Sequence, residues 1–187
     1  GSKVYIIGQE ADEINEYSLS TPWDISTMTF IKLESISSQE STPYGLFFKP
    51  DGSKVYIIGQ EVDDITEYSL SVPWDISTMA HVTESIDLTS TETTPTNLFF
   101  KSDGSKVYVI GWSIDDINEY SLSTPWDIST MTHIQISLDF SAKETQPNGL
   151  FFKPDGSRVY IAGSADDKIH EYSLTKSNEI SHGTDNE

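Results

Sequence analysis

Apolar positions in this chain fall into short runs that recur at a fixed interval. Leu46-Phe47-Phe48 and Val55-Tyr56-Ile57-Ile58 bracket the segment Lys49-Pro50-Asp51-Gly52. Proline presets φ, aspartate bonds the local backbone and glycine accepts positive φ, so that segment predicts a tight turn between two strands. Val55–Ile58 is apolar at successive positions, hence on both faces, and predicts a strand covered on both sides. Beyond the loop Gln60–Asp64 the pattern changes: Tyr68 and Leu70 share one face, and Glu67, Ser69 and Ser71 share the other. Such alternation predicts a strand with one wet face. Pro73-Trp74-Asp75-Ile76-Ser77-Thr78 predicts a corner, because proline brings no ladder donor. The Ser/Thr-rich stretch through Ser90 predicts an outermost strand and its return. No segment predicts a helix; over Asp12–Ser20 the Tyr/Leu alternation favours a strand.

This order is written nearly four times. Gly1-Ser2-Lys3-Val4-Tyr5-Ile6-Ile7-Gly8 returns in close copies at Gly52, Gly104 and Gly156, each followed by an Ile-x-Glu-Tyr-Ser-Leu run. The first three copies continue into Pro-Trp-Asp-Ile-Ser-Thr-Met. Repeats of about 50 residues mark solenoids and propellers, and one such unit buries too little surface to stand alone. Four antiparallel strands per unit predict an all-β fold, a β-propeller built of four-stranded blades. Units fall near 1–43, 44–95, 96–147 and 148–176, followed by a polar tail, 177–187, expected to be a loose terminus. The first unit lacks a Leu-Phe-Phe segment and the last a Pro-Trp corner, so the expected strand counts are three, four, four and three. Such a chain forms either a thin four-bladed ring or part of a larger one, and the open apolar ends favour the second, as a homo-oligomer that completes a larger ring or as an excised fragment of one.

Charge narrows the partners. A net charge of −19 and a pI near 4.3 argue against nucleic acid and anionic membranes. No apolar run reaches the roughly 18 residues needed to span a bilayer, so no membrane insertion is expected. The chain has no cysteine, which removes disulfides, thiolate metal sites and cysteine nucleophiles. No signal peptide opens this chain, which starts in mid-repeat.

Candidate chemistry sits where the units differ. The loop after the buried strand reads Gln9–Glu13, Gln60–Asp64, Trp112–Asp116 and Ser164–Lys168, and the residue after the proline of the inner strand is Tyr44, Thr96 or Asn148. Trp112 stands alone among its counterparts; as an unpaired exposed tryptophan it would be a platform for sugar or protein, and its bland alternative is packing on a neighbouring loop. Asp63/Asp64, Asp115/Asp116 and Asp166/Asp167, with Glu10 and Glu61 nearby, offer oxygen ligands for Ca2+, although they lack EF-hand spacing and serve equally as turn residues. Trp23, Trp74 and Trp126 are periodic, which suits wedges between blades and, as the functional alternative, a ring of equivalent carbohydrate pockets. Glu16, Glu67, Glu119 and Glu171 recur in every unit and are expected to bond backbone or a neighbouring blade. His81 and His133 stand where the first unit has Phe30, which suits packing. No catalytic triad, histidine pair or phosphate loop is legible.

Leu46-Phe47-Phe48-Lys49-Pro50-Asp51-Gly52-Ser53-Lys54-Val55-Tyr56 resembles the Pro-Asp-Gly, Val-Tyr-Val repeat of YVTN/lactonase-like β-propellers. The string Glu119 to Thr130, through Pro125-Trp126-Asp127, is similar to tandem propeller repeats of bacterial and phage proteins. The resemblance implies the fold over nearly the whole chain and little about activity, since such propellers serve as enzymes, lectins and scaffolds. The expectation is a non-enzymatic module that binds protein or carbohydrate through its loop face, on an extracellular, cell or virion surface. The alternatives are a metal-dependent lactonase or esterase and a purely structural assembly unit. Lactonases of this kind hold their metal in the central channel; here Asn97 and Asn148 lie near inner strands with no acidic residue at a matching place.

Overall fold

The Lys-Pro-Asp-Gly segments are tight turns. The Gly52 N–H donates to the Lys49 carbonyl at 2.8 Å, Gly52 sits at φ 74°, and Asp51 Oδ1 accepts from the Ser53 N–H at 2.9 Å. Positive φ at no steric cost is what glycine supplies there.

The computed structural model describes residues 1–174 and 183–185. They form four antiparallel sheets. The first contains β1 (Lys3–Gly8), β2 (Glu13–Leu19) and β3 (Met28–Ser35). The second runs β4 (Pro43–Phe48), β5 (Lys54–Gly59), β6 (Ile65–Leu70), β7 (Met79–Glu84) in spatial as in chain order. The third repeats it as β8 (Pro95–Phe100), β9 (Lys106–Gly111), β10 (Asp116–Leu122) and β11 (Met131–Asp139). The fourth contains β12 (Pro147–Phe152), β13 (Arg158–Gly163), β14 (Ile169–Leu174) and β15 (Gly183–Asp185). That last strand corrects the expected count of three for this unit: part of the tail pairs with β14, Leu174 opposite Gly183. The remainder of the tail, 177–182 and 186–187, lies outside the described residues.

The two-faced apolar pattern of the second strand has a direct cause. Val55 and Ile57 belong to a core cluster with Ile14, Tyr5 and Ile7 of the first sheet, whereas Tyr56 and Ile58 pack with Leu98, Phe100 and Val107 of the third. A third cluster joins Tyr108 and Ile110 to Leu150, Phe152 and Val159 of the fourth. The second and third sheets are thus sandwiched between their copies, and the contacts follow chain order into an arc. The ends of the arc show the counter-case: Ile6 is 44% exposed, while its repeat counterpart Ile57 is 1% exposed. Inner strands β4, β8 and β12 line the concave side, where Phe47, Phe99 and Phe151 meet edge to face at 5.4 and 5.8 Å.

Each Pro-Trp-Asp corner holds a single 3-10 turn, Ile25–Thr27, Ile76–Thr78 or Ile128–Thr130, capped by the preceding aspartate. The tryptophans take φ between 65° and 68°, a region that costs a bulky residue roughly 1–3 kcal/mol and persists only when surroundings hold it. Trp126 is held by stacking on Phe100 at 5.2 Å, and its carbonyl accepts from the Tyr56 hydroxyl at 2.7 Å. No helix among the described residues is long and apolar enough to cross a membrane.

Candidate functional site at the loop face

Backbone bonds sort the connections onto two faces. On one, the loop after each buried strand is tied to the segment entering the inner strand: Gln60 N–H to Thr42 O (3.2 Å), Trp112 N–H to Thr94 O (3.1 Å) and Ser164 N–H to Gln146 O (3.1 Å). On the other, the Pro-Trp corners bond the Pro-Asp-Gly turns, as in Trp74 N–H to Gly52 O (3.0 Å). Trp112, Tyr44, Asn148 and the aspartate pairs therefore share the loop face, and Trp23, Trp74 and Trp126 lie on the turn face. The turn-face tryptophans are wedges against glycine and phenylalanine; Trp74 and Trp126 are half-buried, and Trp23, which has no preceding sheet to cover it, is 84% exposed.

Trp112 is not unpaired. Its ring meets Tyr44 of the second sheet edge to face at 5.3 Å, and its indole N–H donates to the Pro147 carbonyl of the fourth at 3.2 Å. Of the two readings of Trp112, packing on neighbouring segments is what the geometry shows, with partners that come from other units. Asn148, exposed, donates to Gln146 O (3.0 Å) and Ser164 Oγ (3.3 Å), while its carbonyl accepts from Asn97 Nδ2 at 2.9 Å. Thr96 Oγ1 donates to Pro147 O at 2.6 Å. An aromatic pair and an amide network thus adjoin at the mouth of the inner strands, contributed by three sheets.

Beneath this surface lies a periodic buried carboxylate that sequence reasoning missed. Glu40, Glu92 and Glu144 are at most 2% exposed, and each lies against the glycine that ends the buried strand, Gly59, Gly111 or Gly163. Oε1 of Glu92 accepts from the N–H groups of Thr94 (2.9 Å) and Ser113 (3.0 Å), so one side chain splices the two loops. Glu40 does the same through Thr42 (2.6 Å) and Glu61 (3.2 Å). The available signal was the Glu-x-x-Pro spacing, kept in Glu40–Pro43, Glu92–Pro95 and Glu144–Pro147.

The aspartate pairs sit in crowded acidic surroundings. Burial, then the charges of Glu84, Glu40, Asp87 and Asp63, push the Asp64 carboxyl up to about 7. Burial and the neighbours Asp139 and Asp115 push Asp116 up to about 6. Asp63 and Asp115 are raised as well, burial first in each. Among the described residues these four do not join any group of three convergent metal ligands; Asp166 does, with Glu144 and His170. Asp167 is exposed at φ 57°.

Each of the recurring glutamates pairs with a cation of its own sheet. Glu16 pairs with Lys3 (2.7 Å), Glu67 with Lys54 (2.5 Å), Glu119 with Lys106 and Glu171 with Arg158. His81 and His133 pack on Tyr68 and Tyr120 at ring distances of 5.7 and 5.1 Å.

No protein-family model and no curated protein sequence matches the chain. Solved structures match its fold. A nidogen/laminin complex aligns over 98% of this chain and 60% of its own, at 12% identity and a TM-score of 0.67. A protein from Lactobacillus plantarum aligns over 99% and 51%, at 15% identity and 0.64. The periplasmic gluconolactonase of Pseudomonas aeruginosa aligns over 100% and 53%, at 12% identity and 0.57. The chain is a run of β-propeller blades. It is similar in fold to lactonase-type propellers and spans half to three-fifths of these three chains. Identity this low carries the fold alone. In blade terms, the Tyr44–Trp112 pair bridges blades 2 and 3 at the loop face, and Asn148 extends the patch onto blade 4.

Proposed function

We propose that the chain is a non-enzymatic binding module that takes a protein or carbohydrate ligand on its loop face, at Tyr44, Trp112 and Asn148. The observation that carries this reading is the Tyr44–Trp112 pair: two aromatic rings from different blades, locked edge to face at 5.3 Å, with Trp112 still 37% exposed. Rigid aromatics with little entropy to lose, beside adaptable amides, suit recognition of sugars and peptides. Units 1, 2 and 4 carry Gln9, Gln60 and Ser164 where blade 3 carries Trp112, so the patch is singular. The test is a glycan and peptide array read with the purified chain, followed by titration of the strongest hit. Trp112→Ala and Tyr44→Ala each weaken it by roughly tenfold or more, as truncated hot spots do, whereas Trp23→Ala on the turn face leaves it unchanged. Equal loss from Trp23→Ala would move the site to the other face.

Exposed apolar side chains at the ends of the arc, Ile6 and Ile169, support a second part of the proposal, that copies of the chain associate to close the ring. Light scattering across a concentration series tests it; a monomer at every concentration counts against association.

A further inference from the structure

We propose that the loop face of blade 4 binds a divalent transition-metal ion of the Zn2+ type through Glu144, Asp166 and His170. The repeat itself isolates this site. Where blade 4 has Asp166 the other units have Ala11, Val62 and Ile114, and where it has His170 they have Asn15, Thr66 and Asn118. These two departures meet in space, with His170 Nε2 at 3.1 Å from Asp166 Oδ2. One ligand atom each from Glu144, Asp166 and His170 lies within 4.8 Å of the other two.

Glu144 supplies an independent reason for a cation there. The residue is fully buried; Oε1 accepts from the N–H groups of Gln146 (2.6 Å) and Ala165 (3.1 Å), but Oε2 is buried with no hydrogen-bond partner. A buried carboxylate oxygen without a donor is costly, and a metal ion satisfies it. Glu40 has the same orphan oxygen in blade 2, but Val62 and Thr66 stand at the two partner positions there, so among the described residues only blade 4 gathers a ligand set. One imidazole with two carboxylates selects a borderline metal over Ca2+, which prefers oxygen ligands alone. Three protein ligands leave a coordination position for water or a ligand group. Lys168 is the competitor: its Nζ lies 3.2 Å from the same Asp166 oxygen, on a side chain 69% exposed that swings away freely. This inference does not rest on the aromatic patch.

The test is calorimetric titration of the whole chain with Zn2+, paralleled by Co2+ absorption in the visible. A saturable one-site isotherm and a Co2+ spectrum with nitrogen ligation are expected. His170→Asn and Asp166→Ile restore residues that blade 3 carries, so they keep the blade folded, and each weakens binding by roughly tenfold or more. Lys168→Ala tightens it. Zn2+ affinity unchanged in both His170→Asn and Asp166→Ile, no saturable heat with the unaltered chain, or equal affinity for Ca2+ overturns the proposal.

Discussion

The hydroxyl of Tyr56 donates to the carbonyl of Trp126 at 2.7 Å, across the boundary between blades 2 and 3. The Lys54 ammonium reaches the same carbonyl at 2.8 Å and Glu67 of its own blade at 2.5 Å. Between blades 1 and 2 the arrangement is repeated by Tyr5 and Lys3 on the carbonyl of Trp74, at 2.6 and 2.7 Å. Burial holds the Tyr56 hydroxyl far above its ordinary range, so it remains a donor at every physiological pH. Blades 1 and 2 thereby each grip the corner of the next.

Removing the grip in parts separates its contributions. Tyr56→Phe loses one net hydrogen bond and costs about 1 kcal/mol. Lys54→Met costs more, about 2 kcal/mol, because it also leaves Glu67 buried without its cation. Urea midpoints read both, and the ranking is the prediction: a Lys54→Met midpoint equal to wild type would show the ion pair to be solvent-screened.

Gly104 lies under the Trp126 ring at φ 74°, and a Cβ there would sit 2.3 Å from the indole nitrogen. Gly104→Ala therefore suffers the left-handed penalty and displaces the wedge, about 2 kcal/mol together. In a double-mutant cycle with Trp126→Ala the steric share vanishes and only the backbone share persists. Additive losses would mean that the ring does not confine the glycine.

Val55-Tyr56-Ile57-Ile58 announced its own surroundings: successive apolar residues need cover on both faces, and in a repeat the cover is the neighbouring copies. What stayed hidden depends on which units touch. Trp112 looks solitary because Tyr44 and Pro147 come from two other units, and no local pattern links them. Glu40, Glu92 and Glu144 look solvated among Ser and Thr; their burial follows only once the loop folds over the strand-ending glycine. Gly183–Asp185 has no repeat counterpart, so nothing in the pattern marked it as a strand.

Glu92 is fully buried and accepts from the backbone N–H groups of Thr94, Ser113 and, through Oε2, Ile114 at 3.3 Å. Glu92→Ala orphans these donors and opens space beside Gly111, so it costs about 3 kcal/mol, more than a typical surface change. Glu61→Ala, on an exposed side chain of the equivalent loop in blade 2, stays within about 0.5 kcal/mol. Thermal melts of the two variants check the contrast.

Acidity acts on stability in a direction opposite to the usual carboxylate case. Asp64 is pushed up to about 7 and Asp116 to about 6, whereas an unfolded aspartate titrates at about 3.9. Between roughly pH 4 and 7 the folded chain holds protons that the unfolded chain has released, so stability falls as pH rises through that window. Asp51 and Asp103, held well below the ordinary range chiefly by Lys49 and Lys101, lose their contribution only at much lower pH. Melting temperature is therefore higher at pH 5 than at pH 8, and Asp64→Asn flattens the difference while raising the pH 8 value. A melting temperature that climbs from pH 5 to pH 8 contradicts this account.

In blades 2, 3 and 4 the second strand pairs with an inner strand ending in Leu-Phe-Phe, whereas the sheet of blade 1 runs β1-β2-β3. Beside β1 a groove is lined by Gly1, Lys3, Tyr5, Pro73 and Trp74. Its counterpart one blade along is filled by Phe47, which packs against Phe100 at 5.4 Å and Trp126 at 6.4 Å. The edge of β1 and this groove therefore match a strand of known chemistry, and a peptide copying residues 43–51 should add to β1 antiparallel, as β4 adds to β5. Fluorescence anisotropy of the labelled peptide reads binding, and slowed amide exchange in β1 locates it. Replacing the phenylalanine that copies Phe47 with alanine should abolish binding, since main-chain bonds alone do not fill the groove. Binding that survives this change, or protection that appears at β13 and not at β1, refutes the match.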